Sequence, residues 1–137
     1  MTKSTFEEIL EQRGELIYTN VGDSMYPLIQ PRDLLVIKRC DGHLKRLDIP
    51  LYKRDSGQYV LHRIVKVRSG EYVMCGDNRV ALEYGITDRH ILGVLTAVIR
   101  NGETISVNSF SKRCYAHFCC DFMFFKRIIF RLKKQPY

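Results

Sequence analysis

No stretch of this chain is apolar for long enough to cross a membrane. The longest apolar-leaning run, residues 91–99, is nine residues with Gly93 and Thr96 inside it, whereas a span needs about 20. No secretory leader is visible, because Met1-Thr2-Lys3 runs straight into polar and acidic residues. The five cysteines make an odd count and fit no zinc-binding spacing. Cys40, Cys75, Cys114, Cys119 and Cys120 therefore read as reduced thiols, and the expected location is cytoplasmic. Cys119-Cys120 reads as helix packing rather than a redox pair, and a metal role for nearby His117 ranks below that packing. Internal repeats, low-complexity linkers and helix-turn-helix signals are also missing, so specific nucleic acid binding is not expected.

What is present is one domain's worth of chain. At 137 residues, 45% hydrophobic and 27% charged, it can bury a core without staples but has no room for a second one. The net charge of +7 is unevenly placed. Residues 111–137 carry a net +6, while the preceding 110 residues are close to balanced at +1. The basic pI is a property of the tail and not of the domain body.

The pattern begins with a short helix over 4–12. Ser4 or Thr5 caps it, Glu7 and Glu8 suit its first turn, and Phe6, Ile9 and Leu10 share a face. Short β-rich runs follow at 15–19, 34–39, 49–53, 59–68, 71–75, 91–100 and 104–107. Asp55-Ser56-Gly57, Ser69-Gly70 and Asn101-Gly102 separate neighbouring runs closely enough to make hairpins. The expected fold is mainly β, a coiled sheet or partly closed barrel. Residues 115–132 read as a basic aromatic C-terminal helix. It either docks on the sheet, the preferred reading, or lies on a membrane surface, which would place the protein peripherally at the inner face. The expected organisation is an N-terminal helix at 1–14, a catalytic domain at 15–110 and the basic helix at 111–137.

Three pieces carry chemistry. The first is Gly22-Asp23-Ser24-Met25-Tyr26-Pro27. Gly22 permits a φ-positive bend, and Pro27 suits the first turn of a short helix. Ser24 would then sit near a helix N-terminus, whose N–H groups hold a developing oxyanion. Taken alone, such a serine is usually a turn residue or a cap. The second piece is His62, within Val60-Leu61-His62-Arg63-Ile64, where strand alternation puts Val60, His62 and Ile64 on one face. Beside an activated serine, a general base is a better account of His62 than a half-buried ring satisfying a neighbour. The third is Gly76-Asp77-Asn78, with Glu83 close behind. Either carboxylate can fix the imidazole tautomer, and Asp88 is a more distant candidate. His43, His90 and His117 have no comparable setting.

Together these residues resemble the signal peptidase I family and the related self-cleaving repressor peptidases. Gly22-Asp23-Ser24-Met25-Tyr26-Pro27 matches the G-x-S-M-x-P nucleophile box, and Gly76-Asp77-Asn78 matches G-D-N. Pro31-Arg32-Asp33-Leu34 and Leu47-Asp48-Ile49 resemble the two G-D boxes, with Arg32 and Leu47 where glycine is usual. Ile91-Leu92-Gly93-Val94 resembles the closing strand. The likeness covers roughly residues 15 to 107. Histidine at position 62 is similar to the Ser–His branch rather than the Ser–Lys branch.

The resemblance implies a serine endopeptidase with a coiled β-sheet. Ser24 would be the nucleophile, His62 the base, Glu83 the orienting acid and Asp77 a structural or electrostatic support. The expected partner is an extended peptide or precursor protein, and no metal or organic cofactor is expected. Unlike the family's signal peptidases, this chain shows no anchoring helix, and unlike the repressors it has no DNA-binding domain. The competing expectation is a catalytically inactive peptide-binding or membrane-surface module on the same fold.

Overall fold

A computed structural model of the chain describes residues 4–109. The helix expected at 115–132, the basic unit 111–137, His117, Cys114, Cys119 and Cys120 lie outside the described residues.

The described chain is mainly β, with a curled sheet and one short helix. Helix α1, Phe6–Arg13, starts at Thr5. Thr5 Oγ1 accepts the Glu8 N–H at 3.2 Å, and Glu8 Oε2 accepts the Thr5 N–H at 3.3 Å. That reciprocal pair is a capping box, and it selects Thr5 over Ser4 as the cap.

Nine strands follow: β1 Glu15–Thr19, β2 Leu34–Arg39, β3 Pro50–Lys53, β4 Tyr59–Leu61, β5 Arg63–Arg68, β6 Glu71–Cys75, β7 Glu83–Ile86, β8 Ile91–Arg100 and β9 Glu103–Ser106. The larger sheet has the order β1-β2-β8-β3-β4, with β9 also on β8. The long β8 gives one edge to β2 and divides the other between β3 and β9. The smaller sheet is β5-β6-β7. All its pairings and those of the larger sheet are antiparallel, and the three expected hairpin turns join β3 to β4, β5 to β6 and β8 to β9.

The larger sheet curls until its two end strands meet the same helix. The Phe6 ring lies 4.9 Å from Tyr18 of β1 and 4.8 Å from Tyr59 of β4, centroid to centroid. Irregular pairing between Val36 and Ile37, and between Leu51 and Tyr52, accompanies the bend. Strand β3 is buried on both faces. Its Leu51 belongs to one apolar cluster with Leu10, Leu35, Ile37 and Leu95, and the adjacent Tyr52 belongs to a second with Ile64, Met74 and Ile91. Two-residue periodicity thus lets one short strand serve two cores.

Two expectations need correction. The run 59–68 is not one strand: it breaks at His62 and changes sheets. The chain is drawn aside there, because Ile64 donates to Asp48 O and accepts from Leu47 N–H, both at 2.8 Å. Strand β7 was not anticipated, since Glu83-Tyr84-Gly85-Ile86 has only one buried residue and a glycine. It pairs with β6 through Tyr72↔Ile86 and Met74↔Glu83.

One turn geometry occurs twice. Asp33 N–H donates to Gln30 O at 3.2 Å while Asp33 Oδ2 accepts the Gln30 N–H at 2.8 Å. Asp48 repeats both bonds with Lys45, at 3.1 and 3.0 Å. The residue before each aspartate has positive φ: +70° at Arg32 and +85° at Leu47. This is the third position of a type II turn, which favours glycine.

Candidate active site

Ser24 lies in the loop between β1 and β2, and the loop's ends are pinned to each other. Asn20 Nδ2 donates to Gly22 O at 3.3 Å and to Gln30 O at 3.0 Å, and the Asn20 N–H donates to Asp33 O at 2.7 Å. Asp33 is buried and grips Arg100 of β8 through bonds of 2.9 and 2.7 Å. Gly22 takes φ +93°, as its place in the motif requires. The short helix expected after Ser24 is absent. Pinned at both ends, residues 24–29 form successive turns instead, with Tyr26 N–H on Asp23 O at 3.1 Å and Ile29 N–H on Met25 O at 2.9 Å. No helix dipole therefore acts at Ser24.

The Gly76-Asp77-Asn78-Arg79 turn is stitched onto this loop. The Asn78 N–H donates to Ser24 O at 2.9 Å, and its side chain donates to Asp23 O at 3.1 Å. Arg79 pairs with Asp23 Oδ1 at 2.7 Å. The Asp77 N–H points at the sulfur of buried Met25, 3.4 Å away.

His62 reaches the same place from the break between the sheets. A Cβ on Gly76 would lie 2.6 Å from Ser24 O and 3.2 Å from His62 Nε2. The absent side chain of Gly76 is what lets the imidazole edge and the Ser24 loop approach each other. Ser24 and His62 also line one cleft of about 640 Å³, with Asn20, Arg54, Tyr59 and Leu61 on its walls. The Ser24 hydroxyl makes no hydrogen bond among the described residues, so serine and ring share the cleft lining without a formed bond.

Behind the ring stands Tyr52. Its hydroxyl lies 3.5 Å from His62 Nδ1 and donates to Glu83 Oε1 at 2.7 Å. Glu83 is further held by Arg54, with Nε on Oε2 at 2.7 Å and Nη2 on Oε1 at 2.9 Å. Glu83 thus reaches His62 through Tyr52 and makes no direct bond to it. Burial, and next the Arg54 guanidinium, push the His62 imidazole down to about 4, so the ring is neutral at pH 7. Burial works to raise Glu83, but the bonds from Arg54 and Tyr52 outweigh it and hold the carboxyl below its ordinary range. Burial and then the Glu83 bond push Tyr52 above the ordinary phenol value, so it keeps its proton.

Asp77 faces elsewhere. Its two oxygens accept from Arg63 Nε and Nη2, each at 2.8 Å, in a fully buried pair. Its role is to lock the turn to β5, with no bond toward the ring. Asp88 accepts the Tyr72 hydroxyl at 2.5 Å and makes no hydrogen bond to the ring. His90, which the sequence left without a setting, is buried, with Nδ1 accepting the Thr87 N–H and Nε2 on Asp55, both at 3.0 Å.

Tyr52 and Arg54 were missed in the sequence. A signal existed, since the hairpin register Tyr52↔Val60 makes His62 the diagonal neighbour of Tyr52. Among the described residues no cluster of three or more His, Cys, Asp or Glu could hold a metal ion, and no helix is long and apolar enough to cross a membrane. Comparison with known proteins finds no matching family model, curated protein or solved structure.

Proposed function

We propose that this domain is a serine endopeptidase of the signal-peptidase type, using Ser24 as nucleophile and His62 as general base. The observation that carries the reading is that the Ser24 backbone carbonyl and His62 Nε2 both lie close against Gly76, with Ser24 and His62 lining one open cleft. The ring is neutral at pH 7, the state from which a general base accepts a proton. A second observation favours the family. Arg32 and Leu47, which replace its usual glycines, both adopt the φ-positive backbone that glycine serves.

In the reaction, His62 Nε2 takes the Ser24 hydroxyl proton as Oγ attacks the scissile carbonyl. The tetrahedral species collapses, and the leaving amine takes the proton from Nε2. Water then attacks the acyl-enzyme with His62 again as base, releasing the acid and restoring Ser24. The substrate is an extended peptide or precursor protein. Among the described residues, strands β1 and β4 each have one unpaired edge and both supply residues to the cleft wall, so strand addition is the fitting mode of capture. Membrane contact through the basic tail belongs to residues outside the described region.

A peptide library screened for cleavage by the full chain tests this. Ser24→Ala and His62→Ala are expected to abolish turnover, and a serine-directed acylating probe to label Ser24. Undiminished cleavage in either variant overturns the assignment. Peptide binding with neither cleavage nor labelling assigns the domain to a non-catalytic binding role instead.

A further inference from the structure

We infer that Tyr52 is the positioning residue of His62: its hydroxyl donates to Glu83 and offers an oxygen lone pair that selects the Nδ1–H tautomer of the ring. The inference rests on the Ser24–His62 reading and adds to it how Glu83 acts without touching the imidazole.

A tyrosine hydroxyl has one hydrogen to donate. Glu83 Oε1 lies 2.7 Å from it and His62 Nδ1 lies 3.5 Å away. The shorter contact, to an ionised carboxylate paired with Arg54, takes that hydrogen. The Tyr52 oxygen can then only accept toward Nδ1, so Nδ1 carries the ring's proton. Nε2 is left bare, and Nε2 is the atom that faces Gly76 and the Ser24 loop. This is the tautomer a general base needs.

Glu83 is not free to take over the role directly. Arg54 holds both of its oxygens, and the Tyr52 hydroxyl occupies Oε1 as well. Tyr52 is itself fixed: it is fully buried in β3, paired across to Val60 and Ile91. Its ring meets the imidazole edge-on at 67°, with centroids 6.4 Å apart. The charged groups acting on His62 are Arg54, Glu83, Arg79 and Asp77, and Tyr52 is the neutral link between the ring and Glu83.

The proton balance is simple. The Ser24 proton moves to Nε2 and later to the leaving amine. The Nδ1 proton stays on the ring, and its bond to the Tyr52 oxygen strengthens while the ring is cationic. The Tyr52 proton stays on Tyr52, directed at Glu83. Nothing is transferred along the chain of bonds; it orients the ring and spreads the charge.

The test uses the full chain labelled with nitrogen-15 at histidine. Long-range proton–nitrogen correlation at pH 7 is expected to give His62 as the Nδ1–H tautomer in the wild type, and a shift toward Nε2–H in Tyr52→Phe. On a cleaved peptide, Tyr52→Phe is expected to lower kcat by about tenfold or more with KM unchanged. A wild-type ring protonated at Nε2, or a Tyr52→Phe protein with wild-type tautomer and kcat, overturns the inference. If Tyr52→Phe does not fold, the wild-type tautomer decides alone. Failure of the peptidase reading is seen separately, as wild-type cleavage by Ser24→Ala.

Discussion

Arg63 holds Asp77 through two 2.8 Å bonds, with only 4% and 2% of the two side chains exposed. The residue after the candidate base is thereby tied to the residue after Gly76. Any change that loosens this pair moves His62 relative to Ser24.

Asp77 and Glu83 should therefore fail in different ways. Asp77→Ala removes the carboxylate that balances a buried guanidinium, and is expected to destabilise the domain by about 3–5 kcal/mol. Glu83→Gln alters a part-exposed cluster and is expected to cost turnover while losing far less stability. Urea unfolding measured beside kcat separates the two. Equal stability loss in both variants would contradict the division of roles.

Gly76→Ala tests the approach of loop and ring. The added methyl would sit 2.6 Å from a backbone oxygen that cannot swing away, and 3.2 Å from Nε2. The Ser24 loop must shift, and a displacement of about 1 Å at reacting atoms costs about a hundredfold in rate. The expected result is a folded protein with kcat/KM reduced to that extent. Wild-type kinetics would show that Ser24 and His62 do not work across this gap.

The depressed pKa of His62 predicts an unusual acid limit. A ring with an ordinary value of 6.5 is more than nine-tenths protonated at pH 5, whereas one held at about 4 remains mostly neutral there. The acid limb of kcat/KM should fall near pH 4. A limb centred near 6.5 would mean the ring is not desolvated in the working enzyme.

The same shift has a sign for stability. Between pH 6.5 and about 4 the unfolded chain binds a proton at His62 that the folded chain refuses. Stability is therefore lost as pH falls through that window, with an upper bound of about 3.5 kcal/mol. Wild type should lose more than His62→Gln over this range, measured by denaturant midpoints. Parallel curves would contradict the shift.

Arg32 offers a stabilising change. It is exposed and sits at φ +70°, where a side chain costs about 1–2 kcal/mol. Arg32→Gly relieves that strain against glycine's greater unfolded freedom, for a net gain of about 1 kcal/mol or less. A rise in thermal midpoint is the expected readout, and a fall would count against the strain argument.

Much of this was legible in local patterns. The three hairpin turns, a cap at Ser4 or Thr5 and the Gly22 bend each depend on a few adjacent residues, and side-chain chemistry speaks for them directly. The break at His62 was hidden, because Tyr59 to Arg68 alternates well enough to pass for one strand. The cause lies far from it in sequence, in the Leu47-Asp48 backbone that captures Ile64. Strand β7 was hidden for a similar reason: β6 recruits it, although its own residues have little strand character.

The sequence alone shows the candidate groups: a serine in a glycine-led turn, one histidine in a strand-like run, and two acids after a glycine. It could not say what each acid pairs with. Only the folded chain pairs Asp77 with Arg63 and Glu83 with Arg54, and places Tyr52 before the imidazole. The contacts involved join residues 10, 14 and 29 positions apart. Such distances are set by strand register and by which buried charge finds which partner, and no window along the chain contains both.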